Sequence, residues 1–185
     1  MNTRLLGILC IAGSLIAVVG ALLFRLRYDS AATGMGVVIG TLMSLGIMAG
    51  LIGLIQLNAV GSNPVVRAVA FLPIIGLVLT TVGAVAGVSG VSSSDSILSI
   101  VGFVGFFGFL AGLVLVSILT IAAKTWSGWR RFVPLFITVM FFIGLGFRVD
   151  NIYLSHAVSV APLALLGYVV ATAEPTPARA ESVTA

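Results

Sequence analysis

ILSIVGFVGFFGFLAGLVLVSILTIAA, residues 97–123, runs from Ile97 to Ala123 without a charged side chain. As an α-helix rising 1.5 Å per residue it is about 40 Å long, enough to cross the ~30 Å hydrocarbon core of a bilayer. A helix that is apolar on every face has no side to offer water. Its glycines set its packing. At ~100° per residue, Gly105, Gly108 and Gly112 fall within about 60° of arc, and Phe103, Phe107, Leu110 and Val114 take the opposite face. Glycine lets helix backbones approach closely in lipid. The glycine face is therefore expected against a neighbouring helix and the phenylalanine face against lipid tails.

Five more stretches of the same kind surround it: Leu5 to Phe24, Gly34 to Leu57, Val66 to Val88, Phe132 to Phe147 and Ala157 to Ala173. The last two are the shortest, near the lower limit for a span, and Ser159 and Pro162 dilute the sixth. Composition agrees. Of 185 residues 60% are apolar and 8% charged, whereas a soluble domain carries roughly 25% charged residues. The fold expected is an all-α integral membrane bundle of six transmembrane helices. Residues 1–173 form a single domain, and 174–185 form a mobile polar cytoplasmic tail rich in Pro, Thr, Ala and Glu. The connections are too short for a second domain.

Basic residues are retained on the cytoplasmic side during insertion. With six spans, Arg4, Arg67, Lys124, Arg130, Arg131 and Arg179 share one side, and Arg25, Arg27 and Arg148 the other. Both termini are therefore expected in the cytoplasm, in a plasma (inner) membrane. Asp29, Asp95 and Asp150 fall on the far side, in keeping with this. The first span is too long for the core of a cleavable signal peptide, and Arg25 and Arg27 just after it oppose export.

The 22 glycines recur at the spacing of close helix contacts. Gly36, Gly40 and Ser44 lie four apart in the second span, and Gly46 and Gly50 repeat the step. Thr80 with Ala84, and Gly83 with Gly87, do so in the third. The helix-packing candidates are Gly36, Gly40, Ser44, Gly105, Gly108 and Gly112. Between the fourth and fifth spans, KTWSGWRRFVP (124–134) concentrates interfacial chemistry. Trp126 and Trp129 suit the headgroup level, and Arg130 and Arg131 suit anionic headgroups or a docked partner. Tyr28 and Tyr153 would make a thinner aromatic belt opposite.

The inventory of reactive side chains excludes more than it offers. His156 is the single histidine and Cys10 the single cysteine, so one chain can supply neither two haem imidazoles nor a dithiol couple. No carboxylate pair sits at membrane depth for proton relay or metal binding. Gly87-Val-Ser-Gly90 with His156 is similar to the serine and histidine pairing of rhomboid-type intramembrane proteases. Ser89, however, ends a span instead of starting a helix, and the second span carries no histidine or asparagine for an oxyanion. No catalytic residue, cofactor, metal or nucleic-acid partner is expected.

In size, basicity, span count and the small residues Gly13, Ala17 and Ala21 of its first helix, the chain resembles the substrate-binding subunits of energy-coupling vitamin transporters. That resemblance implies a docking role for those three residues and a small-solute or permease function. Thr41, Ser44, Thr80, Thr81, Ser99, Ser117 and Thr138 are the polar side chains at depth available to line a solute site, although such residues mostly bond their own backbone carbonyls. The leading expectation is a non-catalytic packing or accessory subunit of a membrane assembly. Its partners would be the bilayer, anionic lipid headgroups on the cytoplasmic side, and other membrane subunits or itself. The alternative is a small-solute-binding component.

Overall fold

Pro73 breaks the third apolar stretch. Its ring has no N–H to give the carbonyl of Val69 and collides with that group, so a short helix, α3 (Pro64–Val69), stops there. The chain turns at Ala70 and Phe71 and resumes as α4 (Leu72–Val88). The sequence reading of one unbroken helix from Val66 is corrected at this point. The computed structural model describes residues 2–27, 33–88, 97–146 and 157–173, with side-chain surroundings defined for 2–23, 37–87, 97–146 and 157–173. The other long helices are α1 (Thr3–Arg27), α2 (Thr33–Gln56), α5 (Ile97–Ala123) and α6 (Val133–Gly146), the last entered through a 3₁₀ turn at Gly128–Phe132. No strand occurs among the described residues.

Capping explains where these helices turn. Asn58 takes the left-handed conformation after α2, with φ 52°, and lets Ala59 N–H reach Leu54 O and Asn58 N–H reach Ile55 O. Those are the two bonds of a Schellman stop. Asn63 then starts α3 by accepting the Val65 N–H at 2.9 Å, with Pro64 at the first helical position where its missing donor is harmless. Lys124, also left-handed at φ 52°, ends α5.

Five helices are long and apolar enough to cross a membrane: Thr3–Leu23, Val37–Gln56, Pro64–Gly87, Ile97–Ala123 and Gly128–Gly146. The sixth apolar segment, Ala157–Thr172, is shorter. It is also interrupted. A turn at 157–160 gives way at Ala161–Pro162 to α7 (Leu163–Thr172). At the break, Ala164 N–H bonds Ala161 O instead of Val160 O. The Ser14 hydroxyl of α1 donates to that vacated carbonyl at 2.9 Å, and both groups are buried. Ser14→Ala strands Val160 O in the apolar interior. We expect it to lower thermal stability by about 1 kcal/mol, measured by heating in detergent, whereas Ser14→Thr retains the hydroxyl and most of the stability.

Two tightly packed groups make up the bundle. In one, α1 lies antiparallel to both α2 and α7: a Cβ on Gly13 would come within 2.7 Å of Gly46 Cα, and one on Gly7 within 2.5 Å of both Ala171 N and Gly167 O. The first and last described helices therefore end side by side. In the other, α4 and α5 run antiparallel, and a Cβ on Gly83 would lie 2.5 Å from Gly102 Cα. Along α5, α6 adds a polar pair, Ser117 Oγ to Thr138 Oγ1 at 2.9 Å, and an edge-to-face ring contact of Phe109 with Phe141 at 5.3 Å. Between the groups, α2 meets α4 about as extensively as α6 meets α5, and α6 touches α7 less.

Candidate functional site: a hydroxyl-lined cavity between the helices

Where the two groups face each other, no glycine pair draws α2 onto α4, and they meet through hydroxyls. Thr81 Oγ1 lies 3.2 Å from Ser44 Oγ. Beside this contact opens a cavity of about 390 Å³. From α2 it is lined by Val37, Gly40, Thr41, Met43 and Ser44, and from α4 by Thr80, Thr81 and Ala84. Phe106 and Phe109 of α5, Phe141 and Leu145 of α6, and Ser159 and Val160 before α7 close it. All lie in the halves of their helices nearest the connections 28–32, 89–96 and 147–156. The cavity therefore sits at the end of the bundle away from Trp126.

Among the described residues the wall carries no charged side chain. Its hydroxyl protons are mostly committed within the protein: Ser44 donates to Gly40 O, Thr80 to Gly76 O and Thr81 to Leu77 O, each at 2.8 Å, and Thr81 also points its proton toward Ser44 Oγ at 3.2 Å. These three side chains present oxygen lone pairs. Thr41 differs, having no hydrogen-bond partner among the described residues. One free O–H donor thus stands a helical turn from Ser44 in a wall of acceptors.

Of the seven polar residues singled out in the sequence, Thr41, Ser44, Thr80 and Thr81 converge here. Ser117 and Thr138 are spent on each other and on carbonyls of α5 and α6. Sequence reasoning missed the ring wall of Phe106, Phe109 and Phe141, because the period of a helix marks a face without saying what lies opposite.

The packing candidates divide. A Cβ on Gly105 would meet Leu79 Cβ and Thr80 N at 2.6 Å, and one on Gly112 would meet Pro73 Cδ and N at 2.5 Å. Gly108 is looser, with Gly76 Cα 3.8 Å away. Gly40 requires correction: a Cβ there would meet nothing within 4 Å, since the glycine faces the cavity and not a helix. Ser44 is buried at the hydroxyl contact, and the surroundings of Gly36 lie outside the described residues. Leu110, expected toward lipid with Phe103 and Phe107, is 8% exposed against their 66% and 53%. It borders the face of α5 covered by α6.

Gly13, Ala17 and Ala21 are all buried, with Gly13 pressed on Gly46 of α2. The small face of α1 is filled from within the chain and is not free to dock a transporter partner. The Thr125 hydroxyl donates to Ala59 O at 2.9 Å, and Trp126 beside it is 7% exposed, its indole packed against the protein at the end of the bundle. Trp129 is exposed at 53%. The Arg131 guanidinium carbon sits 4.7 Å from the Phe132 ring centroid, with its Nε buried and unpartnered, and Arg130 is half-buried beside it.

Cys10 is a packing residue, its thiol donating to Leu163 O at 3.3 Å. No group of three or more metal-ligating side chains occurs among the described residues. Ser89 and His156 lie outside them, as do Tyr28, Asp29, Asp95, Arg148, Asp150, Tyr153 and residues 174–185. Comparison with protein-family models, curated proteins and solved structures finds no match to this chain. Its class rests on its own physics: an all-helical bundle whose long apolar helices have the length and composition of membrane spans.

Proposed function

We propose that this chain is a multi-pass protein of the plasma (inner) membrane, with both termini cytoplasmic, that binds a small solute inside its helical bundle without transforming it. The cavity carries this reading, because about 390 Å³ of space with convergent polar groups and ring walls is the usual make-up of a small-molecule site. Binding is favoured over chemistry by the lining itself, which holds no acid, base or thiol and spends most of its hydroxyl protons on the backbone. A packing-subunit role drew on glycine faces that here lie against other helices of the same chain. At the opposite end, Arg130, Arg131 and the exposed Trp129 suit anionic lipid headgroups on the cytoplasmic side.

Gly40→Leu is the direct test, because it fills space that nothing else occupies and removes a helix-weakening glycine. We expect the variant to fold as well as wild type and to lose the small molecule that native mass spectrometry finds on the wild-type protein in mild detergent. Identical small-molecule content in both proteins would overturn the proposal.

A further inference from the structure

The ligand's chemical class is written in the balance of hydrogen-bonding groups around the cavity. Ser44 and Thr80 give their protons to backbone carbonyls at 2.8 Å, and Thr81 shares its proton between Leu77 O at 2.8 Å and Ser44 Oγ at 3.2 Å. Each of the three therefore offers a ligand a lone pair and no free proton, and Ser159 is engaged elsewhere. Thr41 has a proton to give. Ser44 and Thr81 are 3.2 Å apart, and Thr41 is three residues from Ser44 on the same face of α2, so one ligand group reaches all three. A group that donates one proton and accepts another satisfies this set. A hydroxyl is the smallest that does. An ionised carboxylate or ammonium would be stripped of water with no opposite charge in the wall, which costs several kcal/mol. An ether or ester oxygen takes the Thr41 proton and leaves the acceptors unanswered.

The remainder of the wall is apolar and aromatic, and it exceeds what a hydroxyl alone would fill. Phe109 and Phe141 stand edge to face at 5.3 Å, fixing one side of the space, and Phe106 and Leu145 extend it. The helices that line it are long and apolar enough to span a membrane, where lipid chains are the surrounding solvent. We infer that the cavity binds a neutral lipid alcohol, its hydroxyl held by Thr41, Ser44 and Thr81 and its hydrocarbon body against Phe106, Phe109 and Phe141. This inference rests on the solute-binding reading proposed above and adds the ligand's class to it.

The test uses the full chain in phosphatidylcholine nanodiscs and a long-chain primary alcohol with a diazirine at its far end. Competitors are dodecan-1-ol, its methyl ether, dodecanoate and butan-1-ol. Photolysis is expected to label the cavity lining, with dodecan-1-ol competing about tenfold better than the ether and the other two failing, as one lost hydrogen bond requires. Thr41→Val should weaken competition by both dodecan-1-ol and its ether about tenfold, whereas Thr81→Val should weaken dodecan-1-ol about tenfold and leave the ether, which has no proton to give, unchanged. Gly40→Leu should abolish labelling. Equal competition by alcohol and ether, with no effect of Thr41→Val, would overturn the hydroxyl assignment and leave the cavity reading standing, since Gly40→Leu would still block. Equal competition by butan-1-ol would overturn the lipid body. Labelling that persists in Gly40→Leu, or falls outside the cavity, would overturn both the inference and the proposed function.

Discussion

Gly112→Leu is expected to cost about 3 kcal/mol or more and to leave little folded protein, because the new side chain has nowhere to go. Its Cβ alone would lie 2.5 Å from Pro73 Cδ and N and 2.7 Å from Pro73 Cα. A flexible side chain could swing away; a proline ring fused to the backbone cannot. The helices α4 and α5 would have to part, and the same seam holds Gly105 against Leu79 and Thr80 and Gly83 against Gly102. Seams of this kind contribute through close dispersion contact, which falls off steeply with separation. The informative comparison lies within one stripe. Gly108→Ala, whose nearest neighbour is Gly76 Cα at 3.8 Å, should be nearly neutral. Size-exclusion profiles of heated, detergent-solubilised protein order the variants, and equal stability of Gly112→Leu and Gly108→Ala would sink the argument. A glycine stripe serving a second protein would show the opposite pattern, with the partner lost and the chain still folded.

How far the sequence could be read follows from what periodicity encodes. Uncharged runs such as residues 97–123 announce helices that need lipid, and the structure contains them. The arc of Gly105 and Gly112 marks a close-packing face in advance, because helix geometry is fixed by the backbone. What faces that arc is not local information. Gly40 and Gly46 stand in one helix, are the same residue and belong to the same small-residue repeat. Gly46 lies against Gly13, while Gly40 borders open space. The difference comes from Gly13 of α1, more than thirty residues earlier in the chain, which lies against Gly46 and not against Gly40. Trp126 shows the same limit: its neighbours Lys124, Trp129, Arg130 and Arg131 mark an interfacial segment, while the burial of its indole, beside the long-range bond from Thr125 to Ala59 O, depends on what packs over it. The hydroxyls were recognisable as candidates in the sequence, but their convergence needed α2 and α4 placed in space.

Gly167→Leu should release α7 and expose Cys10. A Cβ on Gly167 would lie 2.6 Å from Gly7 O, 2.7 Å from Ile11 Cγ1 and 2.8 Å from Ile11 N, so α1 meets it mainly with backbone. Leu163, Leu166, Val169 and Val170 of α7 are buried in the core beside that contact, so opening it uncovers apolar surface as well. The helix spans 10 residues after an interrupted turn, and its bonds to α1 are those of Ser14 to Val160 O and Cys10 to Leu163 O. Cys10 is 1% exposed and the chain has a single cysteine, so a membrane-permeant maleimide reports on opening at this one thiol, which lies against Leu163 O of α7 and Gly50 of α2. Labelling through brief opening follows the population of the open form. Overpacking of a few kcal/mol raises that population, and hence the labelling rate, roughly tenfold to a hundredfold. Ser14→Ala, which removes one bond from the same seam, should raise it roughly fivefold. Gly40→Leu, filling the cavity on the far side of α2, should leave it at the wild-type rate. If the Gly167→Leu protein reacted no faster than wild type, α7 would be held by something other than its contact with α1. The cavity lining at Ser159 and Val160 would then have to be rebuilt from a different neighbour.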